Sequence, residues 1–251
     1  MPMISIIVPS FNHGRFLDKT LQSIDEQNID SEIIILDGGS TDNTPEIISK
    51  WKHKINFYRS HKDNGQAEAI NEGLKYAKAP YVTWLNSDDW LLPNGMKRLL
   101  AILDSNKSIP VVYGDTLDYI DSKNKYNNTW VESFSERRLA IRCIISQPGA
   151  LIRREFLNNI GGIDINLSMA FDYDLWWRLF QKYGEFVYIN ECIAVNRIHN
   201  MTKTNQNRIQ HYREAMAVVK KYYGKIPIKW YIYSIYSVFY RAILNKIYSS
   251  S

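Results

Sequence analysis

The sequence predicts an α/β protein: a mostly parallel central sheet with helices on both faces, followed by a helical, aromatic C-terminal tail. Four short, mostly apolar runs fall early in the chain, "ISIIV" at 4–8, "EIIIL" at 32–36, "INFYR" at 55–59 and "YVTWL" at 81–85. Runs this short and this apolar suit strands buried on both faces. Between them apolar residues recur at helical spacing, and strand–helix alternation of this kind builds a parallel sheet. After residue 105 the rhythm changes. The chain is therefore divided into a domain over 1–204, with halves at 1–105 and 106–204, and an extension over 205–251.

The elements follow in order. Leu17, Leu21 and Ile24 share one face of a first helix. Ile47, Ile48 and Trp51 follow Thr44-Pro45, a cap with Pro in the first turn. Ile70, Leu74 and Ala77 form a third stripe. Met96, Leu99, Leu100 and Leu103 form a fourth, opened by Pro93. "PVVYGD" at 110–115 reads as another strand, and 116–135 as a strand pair with a loop. "FDYDLWWRLFQKYG" at 171–184 reads as a helix with Leu175, Leu179 and Phe180 inward, ended by Gly184. "EFVYI" and "CIAVNRI" read as two further strands. A helix is expected over 205–222 along Ile209, Tyr212, Met216 and Val219.

Composition narrows the function classes. With 251 residues, 45% hydrophobic and 23% charged, the chain can bury a sizeable core and is not disordered. Its 2 cysteines build no disulfide framework and fit a reducing compartment, so a cytoplasmic location is expected. The start of the chain reads as no signal peptide, and no apolar run of membrane-spanning length exists. A net charge of +5 fits either a solvated Lys-rich surface or attraction to anionic lipid or a phosphorylated substrate. No basic helix or base-stacking module stands out, so no nucleic-acid partner is expected.

In an open parallel sheet, ligands bind at the carboxyl ends of the strands. There the sequence places Pro9-Ser10-Phe11-Asn12, Asp37-Gly38-Gly39-Ser40-Thr41-Asp42 and Asn86-Ser87-Asp88-Asp89. Read alone, the second cluster is a tight turn, or Asp37 accepts the imide N–H of a uracil or thymine. Phe11 stacks on a base or fills the core. The last cluster is a turn with solvated carboxylates or a site for Mg²⁺ or Mn²⁺, which bind one or two carboxylates plus substrate phosphates.

"SIIVPSFNHGRFLDKTLQSI", "IIILDGGSTDNTPEII" and "NGQAEAINEGLKYAKAPYVTWLNSDDWLLP", with the later "QPGALIRREFLNNIGGID" and "MAFDYDLWWRLFQKYG", resemble the family-2 glycosyltransferases of GT-A fold over roughly residues 3 to 200. The resemblance implies an inverting transfer from a nucleotide-activated sugar, UDP or dTDP favoured, assisted by Mn²⁺ or Mg²⁺. It makes 1–105 the nucleotide-sugar half and 106–204 the acceptor half. It implies that Pro9, Ser10 and Phe11 line the nucleotide pocket and that Asp37 reads the base. The family's Asp-x-Asp motif falls on Asn86-Ser87-Asp88, so Asp88 is the implied metal ligand, with Asp89 assisting and Asn86 and Ser87 on the donor. Asn86 departs from the family's Asp and removes one negative charge. His199 matches a histidine near the metal or diphosphate, and Gln66 opens a helix facing phosphate or sugar. Asp172 aligns as the catalytic base. Gln147 and Trp176 are the implied acceptor contacts.

The implied partners are the donor and a glycan or lipid-linked acceptor. The basic, aromatic segment 225–251 lies in a membrane interface, packs back on its own domain, or pairs in a homodimer; the first places the protein at the inner face of the cell membrane. Three rivals stand beside this reading. An inactive sugar-nucleotide binder is motivated by Asn86, and a membrane-surface scaffold by the tail. A Rossmann dehydrogenase is disfavoured by the lack of G-x-G-x-x-G after the first strand.

Overall fold

The computed structural model describes residues 1–199 and 202–237. Its first half is the expected parallel sheet. Strand β1 (Ile4–Ser10) lies between β2 (Ser31–Asp37) and β4 (Tyr81–Trp84), and β3 (Ile55–Ser60) flanks β2, all parallel. The remaining strands are β5 (Trp90–Leu91), β6 (Val111–Ile120), β7 (Lys125–Asn128), β8 (Ala150–Arg153) and β9 (Val187–Ile198). They extend the same sheet in the order β3-β2-β1-β4-β8-β6-β9-β5, with β7 paired to β6. Strand β8 runs antiparallel to both β4 and β6, which makes the sheet mixed in its second half.

The expected 185–189 and 192–198 strands are one strand, β9. Its register against β6 slips twice between Gly114 and Thr116, leaving Asn190, Glu191 and Ile193 without partners on β6. The two-residue β5 and four-residue β8 are too short to show any period in the sequence.

Strand β1 is buried along its whole length, and its side chains divide between two cores. Ile4, Ile6 and Val8 join Leu17, Leu21 and Ile24 of α1 (Gly14–Asp25) and Met96, Leu99 and Leu103 of α4 (Gly95–Ser105). Ile7 faces the opposite core with Leu36, Trp84 and α3 (Gln66–Tyr76). Helix α2 (Thr44–Trp51) covers the first face through Ile48. The short helices α5 (Glu136–Ile141) and α6 (Arg154–Asn159) lead to α7 (Phe171–Tyr183), which stops where Gly184 adopts φ +86°, a conformation costly for residues with a Cβ.

Helix α8 (Lys203–Gln206) precedes α9 (Arg208–Tyr223) and α10 (Ile228–Ile235). These last two pack on α7, and Ala215, Val218, Val219 and Trp230 belong to the same core as Ile7. The α9 stripe is rotated from the expected one: Ile209 is 63% exposed, while Ala215 and Val218 are buried. The rest of the 225–251 tail, from residue 238, lies outside the described residues. No described helix is long and apolar enough to cross a membrane.

One polar device sits inside this apolar frame. Glu32 on β2 is 4% exposed, and its Oε1 accepts hydrogen bonds from Ser5 Oγ on β1 and from the backbone N–H groups of Lys78 and Ala79. It fixes the entry of β4 against β1 and β2. Buried donors left without an acceptor cost roughly 1–3 kcal/mol each. Glu32→Ala should therefore lower the unfolding free energy by at least about 2 kcal/mol in urea titrations. Glu32→Gln, which keeps the acceptor, should cost less.

Candidate active site

The loops after β1, β2 and β4 are tied into one edge by backbone chemistry. Gly38 N–H donates to the Ser10 carbonyl at 2.8 Å. Asn12, at φ +52°, donates its N–H to Ser40 Oγ, and its Oδ1 accepts the Thr41 N–H, both at 2.8 Å. Asp42 Oδ2 accepts the Gly14 N–H at 2.9 Å, and its Oδ1 accepts from Thr44. Residue 14 must be glycine here, because a Cβ would lie 2.3 Å from Asn43 Oδ1 and 2.6 Å from Thr44 N. Arg59 on β3 donates to the carbonyl oxygens of Asp37 and His61 and pairs with Asp63 and Glu72.

Asp37 lies inside this edge: it is 0% exposed, and its two oxygens accept from Ser40 N–H, Ser40 Oγ and Ser60 Oγ. It is an acceptor that shapes the turn. Phe11, by contrast, is 59% exposed beside Gly38, whose missing side chain leaves room for the ring. Pro9 and Ser10 are buried behind it in β1.

The Asn86–Asp89 turn is held from three sides. Thr20 Oγ1 lies 3.0 Å from the Ser87 carbonyl oxygen and 2.7 Å from that of Asp89. Asp89 Oδ1 accepts the Arg197 N–H at 2.8 Å, and its Oδ2 accepts from Asn86 Nδ2 at 3.1 Å. Gln66 Nε2 donates to Asn86 Oδ1. Arg197 also bonds the Asp88 carbonyl oxygen and pairs with Asp121 at 2.7 Å. Asp89 acts as a clamp: it is 4% exposed, and each of its oxygens accepts one hydrogen bond, from Arg197 and from Asn86. Its burial, and then the neighbouring Asp88 charge, push its carboxyl well above the ordinary range.

With Asp89 turned inward, the Asp88 carboxylate faces the strand edge. His199 Nε2 lies 3.0 Å from Asp88 Oδ2, and His13 Nδ1 lies 2.9 Å from the buried Ser87 Oγ. One ligand atom from each of His13, Asp88 and His199 falls within 4.8 Å of the others, close enough for a single divalent ion. Burial, the largest influence on His13, lowers its pKa and favours the neutral imidazole that binds metals. The donor set fits an ion: two imidazoles and a carboxylate leave coordination positions open for phosphate oxygens. His13 stands two positions past Phe11 in "PSFNH". Extending the strand-edge reading by one residue beyond Asn12 would have found it.

Asp172 sits in the first turn of α7, and its Oδ1 accepts the Tyr173 N–H at 2.7 Å. It lines a cavity of about 470 Å³ with Arg142, Tyr173, Tyr212 and Trp230. Burial pushes its carboxyl up to about 6. Trp84 connects the two places. It lies two residues before Asn86, and its ring meets Phe171, the neighbour of Asp172, at 6.3 Å between centroids. Gln147 Nε2 donates to the Trp84 carbonyl oxygen at 2.6 Å, and its buried Oε1 has no partner among the described residues. Trp176 is corrected as an acceptor contact. It is 0% exposed, stacked on Trp84 at 6.4 Å, and Trp177 is equally buried. Helix α7 is enclosed by sheet, α6 and α9, so both indoles are core.

The family model described as "Glycosyl transferase family 2" matches residues 5–161. An uncharacterized glycosyltransferase of Rickettsia typhi is 29% identical over 223 residues, 84% of this chain and 69% of that protein. The chondroitin synthase of Escherichia coli is 27% identical over 240 residues, 93% of this chain and 34% of the synthase. S. aureus TarS 1–349 in complex with UDP-GlcNAc aligns with TM-score 0.71 and 18% identity, over 87% of this chain and 66% of that one. The mannosyltransferase PcManGT from Pyrobaculum calidifontis, in complex with GDP-Man and Mn²⁺, aligns with TM-score 0.65 and 17% identity, over 86% of this chain and 64% of that one. The chain thus spans about a third of the synthase and just under two thirds of these two structures. The structural likeness shows a GT-A fold.

The raised Asp172 carboxyl has a consequence for stability. Between the ordinary value of 3.8 and about 6, the folded protein holds a proton that the unfolded chain has released. Stability therefore falls as pH rises through that window, and above it the ionised carboxylate is a net cost. Asp172→Asn, which cannot ionise, should be more stable than the parent at pH 7.5. A two-unit shift would be worth up to about 3 kcal/mol, and partial access to the cavity reduces this to about 1–2 kcal/mol. Denaturant melts at pH 7.5 and pH 4 check it: the gain should be present at the first and gone at the second.

Proposed function

The chain belongs to glycosyl transferase family 2, and from that premise we propose that it moves a sugar from a nucleoside-diphosphate sugar to a hydroxyl of a glycan or lipid-linked acceptor, with inversion. The observation that carries this is the convergence of His13, Asp88 and His199 at the carboxyl edge of the parallel strands; Asp172 lines a separate cavity, and its neighbour Phe171 meets the Trp84 ring.

In this reading His13, Asp88 and His199 hold one divalent ion, and the exposed face of Phe11 takes the base by stacking. When bound, the ion supplies Lewis-acid stabilisation of the departing diphosphate. Two imidazole ligands favour Mn²⁺ over the harder Mg²⁺. Asp172 accepts the proton of the acceptor hydroxyl, and a carboxyl near 6 is poised for this at neutral pH. The acceptor oxygen bonds to the anomeric carbon as the bond to the diphosphate oxygen breaks, which inverts that centre. Stacking on Phe11 does not separate uracil or thymine from guanine. UDP is the first nucleotide to test, because TarS is seen with UDP-GlcNAc.

Calorimetric titration of UDP, dTDP and GDP, with and without Mn²⁺, tests the reading. Nucleotide binding should require Mn²⁺ and disappear in Asp88→Ala. It should weaken by roughly tenfold or more in His13→Ala, as loss of a metal ligand predicts. Metal-independent binding, or no binding by folded protein, would sink the proposal. Nucleotide binding without transfer to any acceptor would favour the inactive binder that Asn86 first suggested.

A second reading concerns α10. Ile228, Ile232, Ile235 and Tyr236 are each more than half exposed, beside Lys225 and Lys229, while Trp230 anchors the helix inward. This supports peripheral contact with an anionic membrane through that face. Sedimentation with vesicles containing anionic lipid should capture the protein and lose it in the Ile232→Glu, Ile235→Glu double variant. A concentration-dependent dimer with no vesicle binding would assign the face to self-pairing instead.

A further inference from the structure

The cavity that holds Asp172 has a charge pattern that a proton-accepting site does not require. Arg142 caps the end of α5 and turns its side chain into this cavity. Its guanidinium stacks over the Trp130 ring at 4.3 Å. Among the described residues it pairs with no carboxylate, and its buried Nε has no hydrogen-bond partner. The nearest acid acting on it is Glu132, whose carboxylate is gripped by Arg138 at Nε, 2.6 Å away, and at Nη2. Arg208 lines the same cavity, so among the described residues two guanidinium groups face its single carboxylate. Arg142 is half-buried, and taking a guanidinium partly out of water without an anion costs solvation. A fork of N–H donors suits the two oxygens of a carboxylate or phosphate. Trp130, 67% exposed at the rim, adds an aromatic face of the kind that packs on a sugar ring.

We propose that the acceptor is an anionic sugar, whose carboxylate or phosphate sits on Arg142 beside Trp130 while its hydroxyl faces Asp172. The proposal rests on reading Asp172 as the base and names the class of acceptor it serves. Trp230 closes the wall of the cavity: its Nε1–H donates to the Ala140 carbonyl oxygen at 2.8 Å, and its ring meets Tyr173 at 5.9 Å. Helix α10 is thereby part of the acceptor site.

Tryptophan fluorescence titration of the full chain, with UDP and Mn²⁺ present, tests this with three probes. These are methyl β-glucuronide, glucose 1-phosphate and the neutral methyl β-glucoside. At least one charged probe should bind tenfold or more tighter than the neutral one. Arg142→Gln should erase that preference, and Arg142→Lys should keep part of it. Preference for the glucuronide alone assigns a uronic-acid acceptor, and preference for the phosphate alone assigns a phosphorylated or lipid-phosphate acceptor. Equal or absent binding of charged and neutral sugars overturns the proposal, as does a preference that survives Arg142→Gln. UDP titration of the same variants keeps the two readings apart. Unchanged UDP affinity in Arg142→Gln certifies an intact donor site. If UDP fails to bind the parent while the charge preference persists, the donor reading falls and the anion seat stands.

Discussion

The candidate site depends on a buried carboxylate. Asp89 lies at the end of a buried strand, next to a second carboxylate, where like charges and desolvation both act against it. The structure resolves this by giving the two acids opposite directions. Asp89 turns inward and binds the main chain of Arg197 and the amide of Asn86, with Thr20 holding the turn from α1. Asp88 turns outward, and because Arg197 is two residues before His199, the same clamp brings His199 against Asp88. Loosening Asp89 would separate β4 from the end of β9 and scatter the three candidate metal ligands at once.

Arg197 extends this logic to its surroundings. Its guanidinium bonds Asp121 and the Asp88 carbonyl oxygen, and it lies over the rings of Phe16 and Trp90 at 4.6 and 4.8 Å. One residue thus joins α1, the turn after β4 and the β6 strand. Trp84 plays the matching part on the other side of the sheet, between the donor edge and the start of α7. Asp172 and the candidate metal ligands come from distant stretches of sequence, yet the carboxyl end of β4 and its turn touch both regions: Trp84 meets Phe171, and Ser87 and Asp88 meet His13 and His199.

Most of the first half was legible because its strands are apolar throughout and its helices carry wide apolar stripes. The strand ends were legible as a group by the topology rule for parallel sheets, which is why Asp88 and Phe11 were found. Individual roles were harder, because a sequence position does not reveal which way a carboxylate points. Asp37 and Asp88 look alike in sequence, both directly past an apolar strand. Ser40 and Ser60 consume the first, and only the fold brings Ser60 there. Trp176 and Trp177 lie on a helix with acidic neighbours, but Trp84 and Phe186 pack on the first and α9, from a distant stretch, packs on the second through Tyr222 and Tyr223. The short β5 and β8 and the bulge in β9 depend on tertiary pairing and leave no local signal.

Asn86 shows why the departure from the family's acidic pattern is not simply a lost ligand. Its amide works in both directions, donating Nδ2 to Asp89 Oδ2 and accepting from Gln66 at Oδ1. An aspartate in the same place would set a second carboxylate about 3 Å from Asp89, without a donor between them, inside a poorly solvated turn. The clamp therefore needs an amide at 86 as long as Asp89 is buried. The charge that the edge gives up is met by a different kind of ligand, since His13 joins His199 and Asp88 from the β1 loop. A site with one carboxylate and two imidazoles attracts a bare hard cation less than a two-carboxylate site does, and it leaves more of the cation's charge for the diphosphate. Under the proposed function, metal and nucleotide would depend on each other: each would supply what the three candidate ligands leave unfilled for the other.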